Sequence, residues 1–208
     1  MQHLPLETIV ERLSAQLLCG QEELCAPILQ QITRGKPLTQ VALQTSLQMS
    51  RNELEQRLAK LPDTEFDQQG NIVGWGITLV PTAHRFQIGG QSLYTWCAFD
   101  TLLFPPFLQA PALVLSTCPI TRHPITFVTS LQGEVKDLTP ASAVLSLALP
   151  AERDDCVRSK FCEQSLFFRS EQVASAFLAD HPEAFLLSIE EAASVGKLVA
   201  QNCLKAAN

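Results

Sequence analysis

The hydrophobic positions change their period near residue 80. Ahead of it they recur at helical spacing: Leu13, Leu17 and Leu18 form a stripe before Gly20, and "APILQQITRGKP" predicts a second helix closed by Gly35 and Pro37. Thr39 is placed to cap "TQVALQTSL". Ser50 and Glu53 make an S-x-x-E capping box opening "SRNELEQRLAKL", since a seryl oxygen and a carboxylate three residues on satisfy amides that a helix start leaves bare. The next segment, "TEFDQQGNIVGWGITLV", turns at Gly70-Asn71 and runs on as a strand, which completes a helix-turn-helix followed by a wing.

From about Pro81 the pattern shortens. "AHRFQI" reads as a strand turning at Gly89-Gly90. "YTWCAFDTLLF" reads as a buried helix or half-helix ended by Pro105-Pro106, because proline lacks an amide and disfavours helix in the residue before it. "ALVLS", "ITFVTS", "AVLSLALP" and "SLFF" are short β-prone runs. Two helices close the chain: "SEQVASAFLADH", capped by Ser170, and "SIEEAASVGKLVAQNCL", opened by a capping box from Ser188 to Glu191. The fold class expected is α+β: a winged-helix-like helical unit over residues 1–80, joined to a mixed, mainly antiparallel sheet domain with helices over residues 81–208.

Composition narrows the function classes. At 208 residues, 46% hydrophobic and 17% charged, the chain can bury a core without disulfides. A net charge of -6 gives no general attraction to phosphate backbones. The second helix of the helix-turn-helix sets Arg51, Arg57 and Lys60 against Glu53 and Glu55, and the wing adds Glu65 and Asp67, which favours a structural unit over a DNA reader. The start lacks a basic region followed by an apolar one, and the longest apolar tract, from Thr101 to Cys118, is interrupted by Pro105, Pro106, Gln109 and Pro111. A soluble, cytoplasmic protein is expected, with neither nucleic acid nor membrane as partner. Its seven cysteines (19, 25, 97, 118, 156, 162 and 203) are odd in number, irregularly spaced and without a CxxC, which suits a reducing compartment and gives little support to structural zinc.

The candidate chemistry lies in "WCAFD". If it is helical, Cys97 and Asp100 stand at i and i+3 on one face. Two acids in an apolar site cannot both ionise cheaply, so the pair is expected to share a proton. The alternative is that Cys97 packs as a small hydrophobe and Asp100 caps a turn. His84, His123 and His181 stand in no nucleophile or oxyanion context and read as surface or turn residues, and His3 falls in a frayed terminus, so a cysteine hydrolase is disfavoured. Cys162, between a charged loop and an aromatic strand, reads either as a thiol at a pocket rim or as half-buried packing. Cys118, in a turn five residues before His123, reads as structural; Cys19, Cys25, Cys156 and Cys203 read as packing or surface.

Taken together, "GNIVGWGITL" (Gly70 to Leu79), "LYTWCAFDTLLFP" (Leu93 to Pro105), "STCPITRHPITF" (Ser116 to Phe127) and "FCEQSLFF" (Phe161 to Phe168) make the chain resemble the alkylmercury lyases over nearly its whole length. The resemblance implies protonolysis of carbon-mercury bonds, with catalytic cysteines at Cys97 and Cys162, a catalytic aspartate at Asp100, these three residues holding substrate and product mercury, and a structural cysteine at Cys118. Some relatives carry a second cysteine directly after the later catalytic one, where this chain has Glu163. Mercury is soft and binds thiolates, so a carboxyl that accepts a thiol proton and returns it to carbon completes the reaction. Trp96 and Phe99 would line an apolar pocket or pack the core. No organic cofactor is implied; organomercurials are the substrates, cellular thiols remove Hg(II), and the metal passes to a mercuric reductase. A sensor that binds DNA and organomercury is the alternative, and it would need the thiols but no proton donor.

Overall fold

Four helices lead into the first strands of the computed structural model, which describes residues 4–17, 22–61, 63–149 and 161–206. α1 (Leu6–Leu17) buries Ile9, Val10 and Leu13, and α2 (Glu22–Ile32) buries Leu24, Ile28, Leu29 and Ile32, one apolar stripe on each. Leu18, Cys19 and Gly20 lie outside the described residues. α3 (Gln40–Leu47) starts on Thr39, whose hydroxyl accepts from the Ala42 amide at 3.1 Å. α4 (Arg51–Leu58) starts on Ser50, which accepts from the Glu53 amide at 3.2 Å. The other arm of that capping box goes elsewhere, because the Glu53 carboxylate accepts from Arg57 at 3.3 Å.

β1 (Glu65–Phe66) and β2 (Ile72–Trp75) form the wing. Asp67 shapes its turn by accepting from the amides of Gln69 at 2.9 Å and Asn71 at 2.8 Å. The expectation that the strand runs on past Gly76 is corrected. Gly76, at φ 69°, reverses the chain, and β3 (Ile77–Thr78) returns antiparallel to β2. A side chain there would also meet the ring of Phe104, so both backbone and packing require glycine.

The sheet continues through the hairpin of β4 (His84–Ile88) and β5 (Gln91–Thr95), which turns at Gly89-Gly90 as expected, both at positive φ. β6 (Ala112–Thr117), β7 (Pro124–Thr129) and β8 (Val135–Thr139) complete eight antiparallel strands in the order β1-β2-β3-β5-β4-β6-β7-β8. A second sheet places β9 (Val144–Ala148) between β10 (Phe167–Phe168) and β11 (Ala184–Ser188). The expected fold class, α+β, is therefore the one observed.

"YTWCAFDTLLF" is not one helix. Tyr94 and Thr95 belong to β5, where they pair with Arg85 and His84 on one side and with Thr78 and Ile77 on the other. A turn follows, and α5 (Asp100–Leu108) begins only at Asp100. Nor do the prolines end it: Pro105 and Pro106 lie inside, as its sixth and seventh residues, where each removes one intrahelical bond. Tertiary packing supplies the rest, since α5 lies against α7 (Ile189–Ala206).

Gly196 of α7 lets the two backbones approach; a Cβ there would stand 2.9 Å from the Leu102 carbonyl oxygen. Gly196→Ala should therefore push α5 away and lower stability by about 1–3 kcal/mol, read by denaturant unfolding. The Ser188 capping box of α7 forms in full, with Glu191 accepting from the Ser188 amide at 2.9 Å and the Glu191 amide donating to Ser188 Oγ at 3.1 Å. Ser170 caps α6 (Glu171–Asp180), accepting from the Val173 amide at 3.4 Å. Among the described residues no helix is long and apolar enough to cross a membrane.

Candidate active site

Asp100 opens α5, and its carboxylate reaches back to accept from the Cys97 amide at 3.2 Å. The pair meets through this turn and not through i, i+3 spacing on a helix. The turn is tied down at both ends: Thr95 Oγ1 donates to the Cys97 carbonyl at 2.9 Å, and Thr101 Oγ1 donates to the Ala98 carbonyl at 2.7 Å. Cys162 begins a single 3-10 turn (Cys162–Gln164) ahead of β10. One ligand atom from each of Cys97, Asp100 and Cys162 lies within 4.8 Å of the others. The structure thus brings together three residues that lie 65 positions apart at the extremes of the chain segment they span.

The electrostatics follow from burial. Cys97 is fully buried, and desolvation, the neighbouring Cys162 and the charge of Asp100 hold its thiol well above the usual range. Asp100 is 6% exposed. Loss of water raises its carboxyl from 3.8 to about 7, against hydrogen bonds from Cys97 that favour the anion. The result is a carboxyl poised to take a proton and give it back near neutral pH. Cys162, at 5% exposure, is neither a rim residue nor half-buried but sits inside.

Other candidates stand apart from this cluster. Cys118 follows β6 in a turn, where its amide donates to the His123 carbonyl at 2.9 Å. Burial raises the pKa of its thiol, but hydrogen bonds from Thr121, Arg169 and Ile120 outweigh this and lower it. The reading of every histidine as surface or turn is corrected by His84: it is buried on β4, bonded through Nδ1 to Ser116 Oγ at 2.8 Å and edge-on to Phe167. Desolvation brings its pKa down to about 4, so it is a neutral core residue. His181 stacks on Phe177, with its Nδ1 2.9 Å from the Phe177 carbonyl oxygen. Cys25 is buried and Cys203 partly so, while His3, Cys19 and Cys156 fall outside the described residues.

Comparison with known proteins decides the family. The family model "Alkylmercury lyase" matches residues 77–201, and "Helix-turn-helix domain of alkylmercury lyase" matches residues 8–76. The chain belongs to the alkylmercury lyase family. Within it, the alkylmercury lyase of Pseudomonas putida is 39% identical over 178 residues, covering 86% of this chain and 83% of the relative. That of Streptomyces lividans is 37% identical over 171 residues, covering 82% and 79%. The solved "Crystal structure of the mercury-bound form of MerB2" shares the fold, with a TM-score of 0.79 at 24% identity over 95% of this chain and 98% of that one.

Two anchors of the site were not singled out in the sequence. Ser165 and Ser146 are both fully buried and tie the Cys162 segment to its neighbours. The available signal was a hydroxyl inside the apolar run around Ser146 and one at the head of the run Leu166 to Phe168, where an unpaired polar group is costly.

Proposed function

We propose that this alkylmercury lyase cleaves the carbon-mercury bond of organomercurials by protonolysis, releasing hydrocarbon and Hg(II) in mercury detoxification. The observation that carries the reading is a carboxyl of pKa about 7 hydrogen-bonded to one buried thiol, with a second thiol alongside. The substrate arrives as an alkyl- or arylmercury thiolate. One thiol of the Cys97/Cys162 pair displaces the incoming thiolate, which leaves as free thiol carrying that proton. Asp100 takes the proton of the other. The two thiolates on mercury push electron density onto the bound carbon, the carbon-mercury bond breaks, and Asp100 returns its proton to carbon. One organomercury thiolate and two cysteine thiols thus give one hydrocarbon, one free thiol and one Hg(II) held by Cys97 and Cys162, with no change of oxidation state and no organic cofactor. Burial supports the chemistry, since an apolar setting suits an organic group and keeps Asp100 protonated until carbon needs the proton.

In this reading residues 81–208 carry the chemistry and residues 1–80 form a winged-helix-like structural unit. The enzyme works in the cytoplasm, cellular thiols extract Hg(II), and a mercuric reductase receives it. Nucleic acid is not a partner: Arg57 on α4 pairs with Glu23 at 2.8 Å and Glu53 at 3.3 Å, and Arg51 pairs with Glu55 at 2.8 Å. A sensor would need no acid beside its thiols. The test is steady-state benzene release from phenylmercury across pH. Below about 7 Asp100 already holds a proton and cannot take one from a thiol, so kcat/KM should fall on the acid side of that value. A flat profile there would remove Asp100 as the acceptor.

A further inference from the structure

The two thiols belong to separate segments, and a mechanism that puts both on one mercury depends on what fixes the distance between them. Three contacts do this. The Ser165 hydroxyl accepts from the Phe99 amide at 3.1 Å, and the Ser165 carbonyl accepts from the Ala98 amide at 3.1 Å, so both amides between Cys97 and Asp100 end on this one residue. In the other direction the Ser165 amide donates to the Cys162 carbonyl at 3.1 Å and closes the turn that carries the second thiol. Phe161 adds an edge-to-face contact with Phe99 at 5.9 Å. On the far side, Ser146 Oγ donates to the Gln164 carbonyl at 2.6 Å, and its amide donates to the Leu166 carbonyl at 2.9 Å, which holds the segment to β9.

We infer that Ser165 is a positioning residue for the reaction: its hydroxyl sets the Cys97–Asp100 turn against Cys162, so that both thiols reach one mercury while Asp100 faces the carbon. The inference rests on the function proposed above. The backbone carbonyl contact survives any substitution at this position, whereas the hydroxyl contact does not. Its loss leaves the Phe99 amide without a partner at the start of α5. A small displacement of this turn separates the thiols and costs catalysis more than binding of the organic group.

The test is Ser165→Ala beside the unaltered enzyme, with phenylmercury as substrate and at a temperature where circular dichroism shows both fully folded. The expected result is a kcat lower by on the order of 10- to 100-fold with KM little changed. Bound Hg(II) should also be stripped by a lower concentration of competing dithiol, a readout that mere loss of stability leaves alone. Unchanged kcat and unchanged Hg(II) retention in a folded variant would overturn the inference. If the unaltered enzyme itself releases no benzene, the proposed function fails instead. Should Ser165→Ala not fold, amide hydrogen exchange on the unaltered protein decides: Phe99 and Ala98 amides protected in the free and Hg(II)-bound forms support the anchor, and rapid exchange at Phe99 rejects it.

Discussion

Asp100→Asn should keep Hg(II) yet lose turnover by on the order of 10²- to 10⁴-fold, the usual contribution of a positioned proton donor. The amide side chain can still accept from the Cys97 amide, so the turn is preserved, but it can neither take a thiol proton nor return one to carbon. The same substitution should stabilise the protein at neutral and alkaline pH. The Asp100 carboxyl titrates at 3.8 in an open chain and at about 7 when buried. Below about pH 3 both states hold the proton and burial carries no ionic penalty. As pH rises toward 7 the unfolded chain ionises while the folded one retains its proton, so stability falls; above 7 the full penalty of about 4 kcal/mol stands. Asp100→Asn removes it, and the gain in unfolding free energy should be largest above pH 7 and vanish below about pH 3. Denaturant unfolding at both pH values checks this. A variant less stable than the parent at pH 8 would mean that the carboxylate is held by more than the Cys97 hydrogen bonds.

The second large effect is expected at the thiols. Cys162→Ser should reduce cleavage to the uncatalysed background, because a seryl oxygen is hard and stays protonated, so mercury keeps one sulfur ligand and carbon receives too little electron density. Cys97→Ser should do the same. Either variant should still take up phenylmercury through the remaining thiol, detectable by mass spectrometry as a one-to-one adduct that releases no benzene. Cys118→Ser should instead be felt in folding, since Cys118 lies outside the three-residue cluster and is fully buried in its turn. Turnover retained by Cys162→Ser would rule out the two-thiolate route.

Much of this was legible in the chain because local chemistry and global fold agree. The caps at Thr39, Ser170 and Ser188, and the Gly89-Gly90 hairpin, are short-range signals that the structure honours. Where the reading failed, tertiary contacts outweighed local preference. Tyr94 and Thr95 sit in an apolar run that reads as helix, but neighbouring strands on both sides draw them into the sheet. β8 escaped notice because it is an edge strand with little burial and so no alternation to read. His84 looked like a surface residue because nothing in its flanks announces that Ser116, 32 positions later, would partner it in the core. The site was half legible. "WCAFD" declares a thiol and a carboxyl close in sequence, whereas the approach of Cys162 depends on Ser165 and Phe161 meeting Phe99, which no local pattern encodes.

The central claim is that a protein-held proton ends on the carbon that leaves mercury. The most direct measurement is to incubate the enzyme with phenylmercury and excess small thiol in D₂O and analyse the benzene by mass spectrometry. Catalytic formation of monodeuterated benzene is the result predicted, since the exchangeable proton on Asp100 is the one delivered. Stable binding of mercury with no benzene released would contradict the account.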